Sequence, residues 1–401
     1  MGAKPTVVSL FTGAGGLDIG LEQAGWSTVT ATDVDPAAIG TLKANKAKAL
    51  PVPGRPGKTY LEDAAILHAD IRDLHAADLR PAGVRRTWRP ALLAGGPPCQ
   101  PWSSAGLQKG FHDPRGLLIG QMIRIADELK PRFVLMENVR GLLTASSPGG
   151  EHGEAIRMIQ SEWENLGYAV RWGLLNAADF GAAQRRVRLL MFASSEHQVP
   201  EMPAPTHSRH PEQGRKPWVS LGEFLSYQPA PEESDVVRPS GARAEQLLAL
   251  EPGTGIKTGG TVEHQRPGGH WGYRQDSFVA DPNLPSRTIR AAATPDWLKF
   301  GPGDMRRLTW RECAGLQGFP TQWEFDGPRD ARVRLIGNAV QADMAEALGE
   351  VLIGALASRV RVESPTSPEW PEYFHRRIKG ARADHRANAA ARKRRSTPRA
   401  S

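Results

Sequence analysis

The opening of the chain alternates apolar and polar positions in a pattern that predicts a strand, a helix and a second strand. VVSLF is mostly apolar and rich in β-branched residues, and a glycine-rich turn follows it. Leu17, Leu21 and Ala24 recur at helical spacing until Gly25 ends the helix. A second apolar run ends at Asp33, so the chain begins as a βαβ unit.

The same alternation continues to about residue 199. Strand-like segments are ILHADIRDL, PALLAGGPP, RFVLMENV, YAVRWGLLN and RVRLLMFAS, and helical patterns cover about Gly116 to Leu129 and Glu154 to Leu166. Strands that alternate with helices predict an α/β fold with a doubly wound, mainly parallel sheet. Ligands of such sheets bind at the carboxyl ends of the strands.

The composition and the hydrophobic periodicity of the sequence change near Pro200. From there to Thr294 the chain is rich in Pro, Gly and His, and its short apolar runs predict a smaller, loop-rich domain. Periodicity returns in MRRLTWRECAGLQGFP and after RVRLIGNAV. We predict a first domain over 1–199, a second over 200–294, a return segment over 295–362 that completes the first, and a basic, disordered tail over 363–401.

Length and composition fit this division, because 401 residues and 43.6 kDa suffice for two domains. No stretch approaches the roughly 20 apolar residues that a membrane helix needs, and the first residues lack the layout of a signal peptide. Two cysteines, Cys99 and Cys313, are too few for a disulfide framework or a thiolate metal cage. We expect a soluble, cytoplasmic protein without a metal.

The net charge of +8 is concentrated at the end of the chain. From Tyr373 to Ser401, ten Lys and Arg and one acid, Asp384, give +9, so the other 372 residues sum to −1. A nucleic-acid groove in the body of the protein must therefore come from local clustering of charge. The tail is either a solvated end or a tether to a polyanion.

The first candidate motif is Phe11-Thr12-Gly13-Ala14-Gly15-Gly16, between the first strand and the first helix. Glycines let a ligand approach the backbone at a helix N-terminus, and Asp33, at the end of the next strand, can hold ribose hydroxyls. Asp70 and Ile71 follow the third strand and suit an adenine ring. Tight turns and ordinary strand ends use the same residue types.

The second motif, GGPPCQPWSS, places Cys99 after two prolines at the end of an apolar strand. Lone cysteines are commonly buried and inert, but a stiff turn at the carboxyl end of a strand presents a side chain to the cleft. Cys313 lies within an apparent helix and is interpreted as a core residue.

Two further motifs follow apolar or basic patterns. Glu137-Asn138-Val139 ends the strand that contains FVLM, and QRRVRL places Arg186 and Arg188 on one side of the next strand. Each alone is typical of a solvated strand end or a basic edge. Together with Cys99 they suit methyl transfer to carbon 5 of cytosine, where a thiolate attacks carbon 6, an acid at N3 offsets the charge, and guanidinium groups hold O2.

The sequence resembles the bacterial, restriction-modification type of DNA cytosine-5 methyltransferase over about residues 5 to 355 except the middle region. The family's motifs occur in order: FTGAGG, the acid in ATDVD, the Asp in ADIRDL, GPPCQPWS, ENVRG, QRRVRL, RRLTWRECAGLQGFP and GNAV. The resemblance implies a Rossmann-like S-adenosylmethionine-dependent methyltransferase fold. It also implies that 1–199 is the catalytic and cofactor-binding domain and that 200–294 recognises the DNA target.

The same resemblance implies roles for individual residues. The catalytic set is Cys99 as nucleophile with Glu137, Arg186 and Arg188 on the target cytosine. The S-adenosylmethionine pocket comprises Phe11, Gly13, Ala14, Gly15, Gly16, Asp33, Val34, Asp70, Ile71, Pro98, Leu118, Asn338 and Val340. Gln341 stands where the family usually has proline after GNAV, so we expect a slightly different helix entry.

The resemblance also sets expectations for partners. Double-stranded DNA is the expected substrate, bound by a monomer, with the target base flipped out. A cognate restriction endonuclease that acts on the same site without stable binding is the expected counterpart. Candidate base-reading residues are His264, Arg266, His270, Arg274 and Gln275. The alternatives are an RNA cytosine-5 methyltransferase, disfavoured by the long recognition segment, and a catalytically dead DNA-binding protein, disfavoured by the intact catalytic set.

Overall fold

The computed structural model describes most of the chain. The described residues are 5–98, 117–146, 150–195, 198–211, 214–241, 244–256, 262–264, 277–292, 294–357 and 366–396. Of these, 117, 262–264 and 385–396 are described by their backbone alone.

Seven strands form the central sheet. They are β1 Thr6–Leu10, β2 Ser27–Asp33, β3 Ala65–His68, β4 Leu92–Gly95, β5 Phe133–Val139, β6 Ala169–Asn176 and β7 Val187–Ser194. Their spatial order is β3-β2-β1-β4-β5-β7-β6. The strands from β3 to β5 pair in parallel, and β7 runs antiparallel to both β5 and β6. The predicted doubly wound, mainly parallel α/β sheet is thus confirmed, with one reversed strand.

The middle strands are buried on both faces, which explains their nearly continuous apolar sequences. β4 is buried throughout, and β5 is buried from Phe133 to Asn138. The strand order reverses direction at β1, which pairs with β2 on one side and β4 on the other. In doubly wound sheets such a switch point opens a crevice at the carboxyl ends of the strands.

Helices cover both faces of the sheet. The helices of the described residues are α1 Gly16–Ala24, α2 Pro36–Lys48, α3 Ala76–Leu79, α4 Leu117–Leu129, α5 Glu154–Asn165, α6 Leu221–Ser226, α7 Ala244–Leu248, α8 Trp310–Leu316, α9 Arg329–Asn338, α10 Ala342–Ala357 and α11 Glu372–Ser396. Apolar residues of α4 and α5 share one core cluster with β1 and β5, while α1 and α10 share another on the opposite face.

Close packing of α1 against α10 brings the end of the chain back to its beginning. A Cβ atom on Gly20 would lie 2.2 Å from the carbonyl oxygen of Ala342, so only glycine permits this approach. Gly349 likewise packs on Ala24 and Leu21. The segment after residue 309 therefore completes the layer that α1 begins.

The region between β7 and α8 has little regular structure, as its composition predicts. Its strands are β8 His207–Ser208, β9 Lys216–Pro217, β10 Thr254–Ile256, β11 Val262–His264, β12 Trp297–Gly301 and β13 Asp304–Arg307, and each belongs to a two-stranded sheet. Ile256, Val279 and Trp297 share a small core. The β12–β13 hairpin thus packs with the predicted recognition domain, although it lies beyond residue 294. The boundaries proposed from the sequence stay predictions.

The C-terminal segment differs from the disordered tail that composition predicts. α11 occupies Glu372–Ser396, and Phe374 and Ile378 are buried in the core cluster that contains α5. Trp370 lies four residues before Phe374, just ahead of the helix, and packs on the same cluster. Apolar residues at this spacing fall on one face of a helix, which anchors it. The prediction followed the Pro, Ser and Arg content and missed this short stripe.

Within the described part of the chain, no helix has the combination of length and apolar character required to cross a bilayer.

Candidate active site

A cavity of about 650 Å³ opens where the carboxyl ends of β1, β2, β4 and β5 meet, at the switch point of the sheet. The sequence-predicted residues that line it are Phe11, Gly13, Asp33, Val34, Asp70, Ile71, Pro98, Leu118, Glu137, Arg186, Arg188, Asn338 and Val340. The structure therefore gathers in one place residues that are separated by more than 300 positions in the chain.

The turn after β1 is held in a conformation that exposes its backbone to the cavity. Phe11 and Gly13 both have positive φ, at 53° and 58°, and a Cβ on Gly13 would meet open space. The amide of Gly13 donates to Oδ2 of Asp33 at 2.8 Å, and the amide of Asp35 donates to Oδ1 of Asp33 at 2.9 Å. Burial raises the pKa of Asp33, while these two amides oppose that shift.

Another part of the cavity wall combines apolar side chains with an acidic one. Val34 is 60% exposed, unusual for a valine, and it shares this wall with Ile71 and Leu118. The carboxylate of Asp70 accepts from the backbone and guanidinium of Arg72, and these hydrogen bonds lower the pKa of Asp70. Asp70 therefore lines the cavity as a carboxylate that already has a partner.

Three residues of the glycine-rich turn do not reach the cavity wall. Ala14 is fully buried in the cluster beside the cavity, and Gly15 is the N-cap of α1 with φ of 91°. A Cβ on Gly16 would lie 2.4 Å from the carbonyl oxygen of Val340. Gly16 thus lets the turn pack tightly against the GNAV segment, behind the lining residues, whereas a Cβ on Gly15 would meet Leu42 and Trp323.

The GNAV segment closes the cavity from the far end of the chain. Asn338 ends α9, and Val340 leads into α10. At the position where the family usually has proline, the side-chain oxygen of Gln341 accepts from the amide of Met344 at 2.9 Å. Gln341 thus caps the start of α10. The predicted difference in helix entry from family members with proline here stays a prediction.

Sequence reasoning missed several lining residues. They are Ser9, Leu10, Thr12, Leu17, Thr32, Asp35, Ala69, Arg72, Gly96, Pro97, Val139, Leu335, Gly337 and Ala339. Nearly all adjoin a motif residue in sequence, so extending each motif by one or two positions would have found them. Leu335 lies about one helical turn before Asn338 in α9, a spacing that places the two on the same face.

Glu137 and Arg188 form a buried pair at the floor of the cavity. Nε of Arg188 lies 2.7 Å from Oε1 of Glu137, and their side chains are only 12% and 10% exposed. The two residues come from the paired strands β5 and β7. The side-chain amide of Asn138 donates to the carbonyl of Pro97 at 3.1 Å, which ties the end of β5 to the turn that precedes Cys99.

Arg186 lies in the same cavity wall but binds backbone. Its guanidinium donates to the carbonyl oxygens of Ile289, Gly337 and Ala339 at 2.8 to 2.9 Å, and the residue is 1% exposed. It thereby joins the start of β7 to the end of the predicted recognition domain and to the GNAV segment. Its predicted contact with the target base stays a prediction.

Two glutamines extend the contacts of Arg186. Gln184 donates to the side chain of Gln317 and accepts from the amide of Ile289, at 3.0 and 2.9 Å. Gln317 donates in turn to the carbonyl oxygen of Ala339. We call Gln184, Arg186 and Gln317 the β7 network. All three residues are buried, so the network fixes the relative positions of four distant segments.

The two cysteines differ in what the structure describes. Cys99 lies outside the described residues, which end on that side at Pro98, a cavity-lining residue. Cys313 is 3% exposed inside α8, and burial raises the pKa of its thiol. The structure thus agrees with the assignment of Cys313 to the core, since a buried thiol is a poor source of thiolate.

The residues predicted to read DNA bases also lie outside the described residues, except for the backbone of one of them. Arg266, His270, Arg274 and Gln275 lie beyond the described residues, and of His264 only the backbone in β11 is described. Among the described residues, no cluster of three or more His, Cys, Asp or Glu side chains is placed to hold a metal ion.

The sheet order and the switch-point cavity define the class as a Rossmann-like α/β fold. Residues 5–354 match the family described as C-5 cytosine-specific DNA methylase. The chain therefore belongs to this family and is a DNA cytosine-5 methyltransferase, as the order of its motifs predicted.

Curated relatives extend over most of the chain. The Type II methyltransferase M.NgoFVII of Neisseria gonorrhoeae is 32% identical over 352 residues, 84% of this chain and 83% of its own length. The Type II methyltransferase M.NgoMIV of the same organism is 31% identical over 359 residues, 88% of this chain and 98% of its own length.

Solved structures agree with the fold. The S. pombe Dnmt2 methyltransferase superposes with a TM-score of 0.60 at 18% identity, over 89% of this chain and all of that chain. The Entamoeba histolytica methyltransferase EhMeth gives 0.58 at 13% identity, again over 89% of this chain and all of that chain. At such low identity these similarities establish the architecture alone.

Proposed function

We propose that this enzyme transfers a methyl group from S-adenosylmethionine to carbon 5 of one specific cytosine in double-stranded DNA, through a covalent adduct with Cys99. The observation that carries the proposal is the shared cavity. Glu137 and Arg188 lie at its floor, Asp33 and the glycine turn lie in its wall, and Pro98 leads to Cys99. Acid, guanidinium and cofactor-binding groups thus converge on one space that opens at the carboxyl edge of the sheet.

The cofactor end of the cavity suits a nucleoside with a charged tail. Asp33 offers carboxylate oxygens for ribose hydroxyls, and the exposed face of Val34 with Ile71 offers an apolar wall for the adenine. The open space beside Gly13 lets a ligand approach the backbone. When bound, S-adenosylmethionine supplies an electrophilic methyl group.

The base end of the cavity suits a cytosine ring. The Cys99 thiolate forms a bond to carbon 6, which places negative charge on the ring and makes carbon 5 nucleophilic. A proton taken up from solvent as the base binds lies between Glu137 and N3 and offsets that charge, and Arg188 holds both Glu137 and the O2 carbonyl in position. Once carbon 5 is methylated, its proton leaves to a base, the bond to carbon 6 breaks and the thiolate returns.

The target cytosine must be extruded from the duplex for this reaction, because neighbouring stacked bases otherwise enclose its carbon 5 and carbon 6. Extrusion costs a few kcal/mol, which contacts with the rest of the duplex offset. Residues 200–294 are the proposed recognition domain, whose exit at Ile289 is held to the cavity wall by Arg186. Recognition and catalysis are therefore fixed relative to one another.

The proposed biological role is protection of host DNA in a restriction-modification system, since both relatives from Neisseria gonorrhoeae are named Type II methyltransferases. The enzyme acts as a monomer on DNA in the bacterial cytoplasm, and a cognate endonuclease cleaves the same site without binding it stably. Methyl transfer to duplex DNA but not to tRNA is the expected substrate preference. The reverse preference would favour the RNA-modifying alternative.

The direct test of the covalent step uses the two cysteines as a matched pair. Cys99→Ser should abolish methyl transfer, because a hydroxyl is a far weaker nucleophile at neutral pH, and it should leave S-adenosylmethionine affinity unchanged. Cys313→Ala should retain activity. With a duplex that contains 5-fluorocytosine, the wild type should form a complex that survives denaturant, because fluorine cannot leave as a proton does.

Either of two results would overturn this mechanism. One is retention of more than a few per cent of the activity by Cys99→Ser. The other is the lack of a denaturant-resistant complex between wild-type protein and the fluorinated duplex.

A further inference from the structure

α11 lies against the catalytic domain by its apolar side. Phe374 is fully buried and Ile378 is 6% exposed, while the indole of Trp370 donates to Gln160 of α5 at 2.7 Å. Leading into the helix, the hydroxyl of Ser367 accepts from the amide of Val170 in β6 at 2.9 Å. These contacts fix the first turns of the helix on the body of the protein.

The contacts also place this end of α11 at the edge of the sheet where the cavity opens. Strand β6 runs parallel in direction to β5, because both pair antiparallel with β7. The hydroxyl of Tyr373 accepts from the amide of Leu174, near the carboxyl end of β6. Ile378 then packs over Gly153, in the loop between the end of β5 and the start of α5. α11 also contacts Arg140–Thr144, the single helical turn that follows the Glu137-Asn138-Val139 motif.

Two arginines come together there. Arg140 follows the Glu137-Asn138-Val139 motif and is exposed, and Arg377 projects from α11 close enough that its pKa is lowered, first by partial desolvation and then by the charge of Arg140. Among the described residues neither has an acidic partner within ion-pair distance. Like charges brought together without a counter-ion cost free energy, and a bound anion removes that cost.

The amino-acid composition makes α11 strongly basic along its length. Its 25 residues contain nine Lys and Arg and two acids, for a net charge of +7. At 1.5 Å per residue the helix is about 37 Å long, which equals the rise of about 11 base pairs of duplex. The rest of the chain has no comparable excess of positive charge, since residues 1–372 sum to −1.

We propose that α11 is a DNA-backbone contact, whose basic face binds phosphates of the duplex that flanks the target cytosine. The proposal rests on the proposed function, which makes duplex DNA the substrate. Arg140 and Arg377 form the contact nearest to the cavity, and Arg376 and Lys379 extend it along the helix. Such contacts position the duplex without reading its sequence. An acidic protein partner would use the same charge and is the outcome to be distinguished.

The test neutralises charge without removing the anchoring residues, because deletion would also expose the edge of β6. The double variant Arg376→Gln, Arg377→Gln is compared with the double variant Arg85→Gln, Arg86→Gln. Arg85 and Arg86 are exposed and lie in the loop that leads to the amino end of β4, away from the carboxyl ends of the strands where the cavity opens. Binding of a labelled duplex is titrated at several salt concentrations, with unrelated duplex sequences in parallel, together with the melting temperature and S-adenosylmethionine affinity.

The α11 variant should bind every duplex about five- to twentyfold more weakly at low salt. Its plot of log K against log salt should be shallower by about 0.9 for each phosphate that the helix no longer neutralises. Melting temperature, cofactor affinity and the methylated sequence should not change. The control pair should match the wild type.

Superimposable salt slopes for wild type, control and α11 variant would overturn the proposal and leave an acidic protein as the partner to seek. Equal losses in both variants would also overturn it, because the effect would then reflect overall charge. A wild type that binds duplex with a steep salt dependence but methylates no cytosine would instead contradict the proposed function, while the role of α11 would still be measured by binding.

Discussion

Arg186 and Arg188 stand two positions apart at the start of β7, yet they belong to two regions with different physical tasks. The β7 network surrounds Arg186 with backbone carbonyls from segments more than 100 residues away. The floor of the cavity pairs Arg188 with a single carboxylate, that of Glu137. The first arrangement directs guanidinium donors to acceptors inside the protein. The second leaves a charged pair facing a space of about 650 Å³.

The difference shows that one sequence motif can contain both a structural residue and a residue that faces the cavity, only two positions apart. A guanidinium that donates to three carbonyls has little capacity left for a substrate. A guanidinium held by one carboxylate at the edge of a cavity can still bind a carbonyl of a ligand. We therefore expect substitutions in the two regions to separate stability from turnover.

The largest effect is expected at the floor of the cavity. Glu137→Gln removes the acid that offsets charge at N3, so turnover should fall by about 10²- to 10⁴-fold. Affinity for S-adenosylmethionine and the melting temperature should stay near wild type. Single-turnover methylation of a duplex, with calorimetry for the cofactor, measures both. Near-normal turnover would remove Glu137 from the chemistry.

Arg188→Lys sharpens the same point. A lysine preserves the charge but lacks the fork that can hold a carboxylate and a carbonyl together, so turnover should fall although folding persists. If Arg188→Lys turned over at the wild-type rate, charge alone would suffice and the proposed contact with O2 would be unnecessary.

In the β7 network the expected effect is on folding. Arg186→Ala removes the guanidinium that donates to three buried carbonyl oxygens, of which that of Ala339 keeps Gln317 as a donor, so the free energy of unfolding should fall by at least about 3 kcal/mol. Denaturant unfolding of Arg186→Ala beside Arg188→Ala measures the contrast. Equal stability of the two variants would break the comparison, and a stable Arg186→Ala that had lost only turnover would return Arg186 to the base-binding set.

A smaller effect is expected at the cofactor end. Asp33→Ala should weaken S-adenosylmethionine binding by about 1–3 kcal/mol, because a charged acceptor for the ribose is removed. Asp70→Ala should weaken it less, because the carboxylate of Asp70 is already engaged by Arg72. Calorimetry on both variants checks the order. The reverse order would move the main polar cofactor contact from β2 to the segment after β3.

The last effect is a gradual dependence of the free energy of unfolding on pH, and it concerns Asp18. Unlike Glu137, Asp18 is buried without a cationic partner among the described residues. Asp18 is fully buried, with hydrogen bonds from the hydroxyls of Ser9 and Thr28, and burial raises its pKa from 3.8 to about 7. The folded state therefore holds the proton more tightly than the unfolded state. This contribution to stability is complete below pH 3.8 and is lost as pH rises through about 7.

Asp18→Asn should remove that pH dependence. Between pH 5 and 7 the wild type should lose up to about 1.4 kcal/mol of unfolding free energy per pH unit from this group, and the variant should lose less. Urea unfolding at a series of pH values decides the matter. Parallel pH profiles would show that the proton on Asp18 does not differ between the two states.

Much of the cavity could be predicted because its residues stand at strand ends. Asp33 and Glu137 each close an apolar run, and in a parallel sheet such ends meet at one edge. The partners of Arg186 could not be predicted, because carbonyl groups carry no side-chain signature and lie at 289, 337 and 339. The anchoring of α11 was missed for a related reason, since three apolar residues among many charges barely change the local composition.

The central claim is that this chain methylates carbon 5 of a specific cytosine in duplex DNA. Bisulfite sequencing of DNA from a methylation-free host that expresses the wild type, or Cys99→Ser, tests it most directly. We predict protected cytosines at one recurrent sequence motif with the wild type and none with Cys99→Ser. A wild-type pattern without any protected cytosine, or the same protected motif in both, would contradict the account.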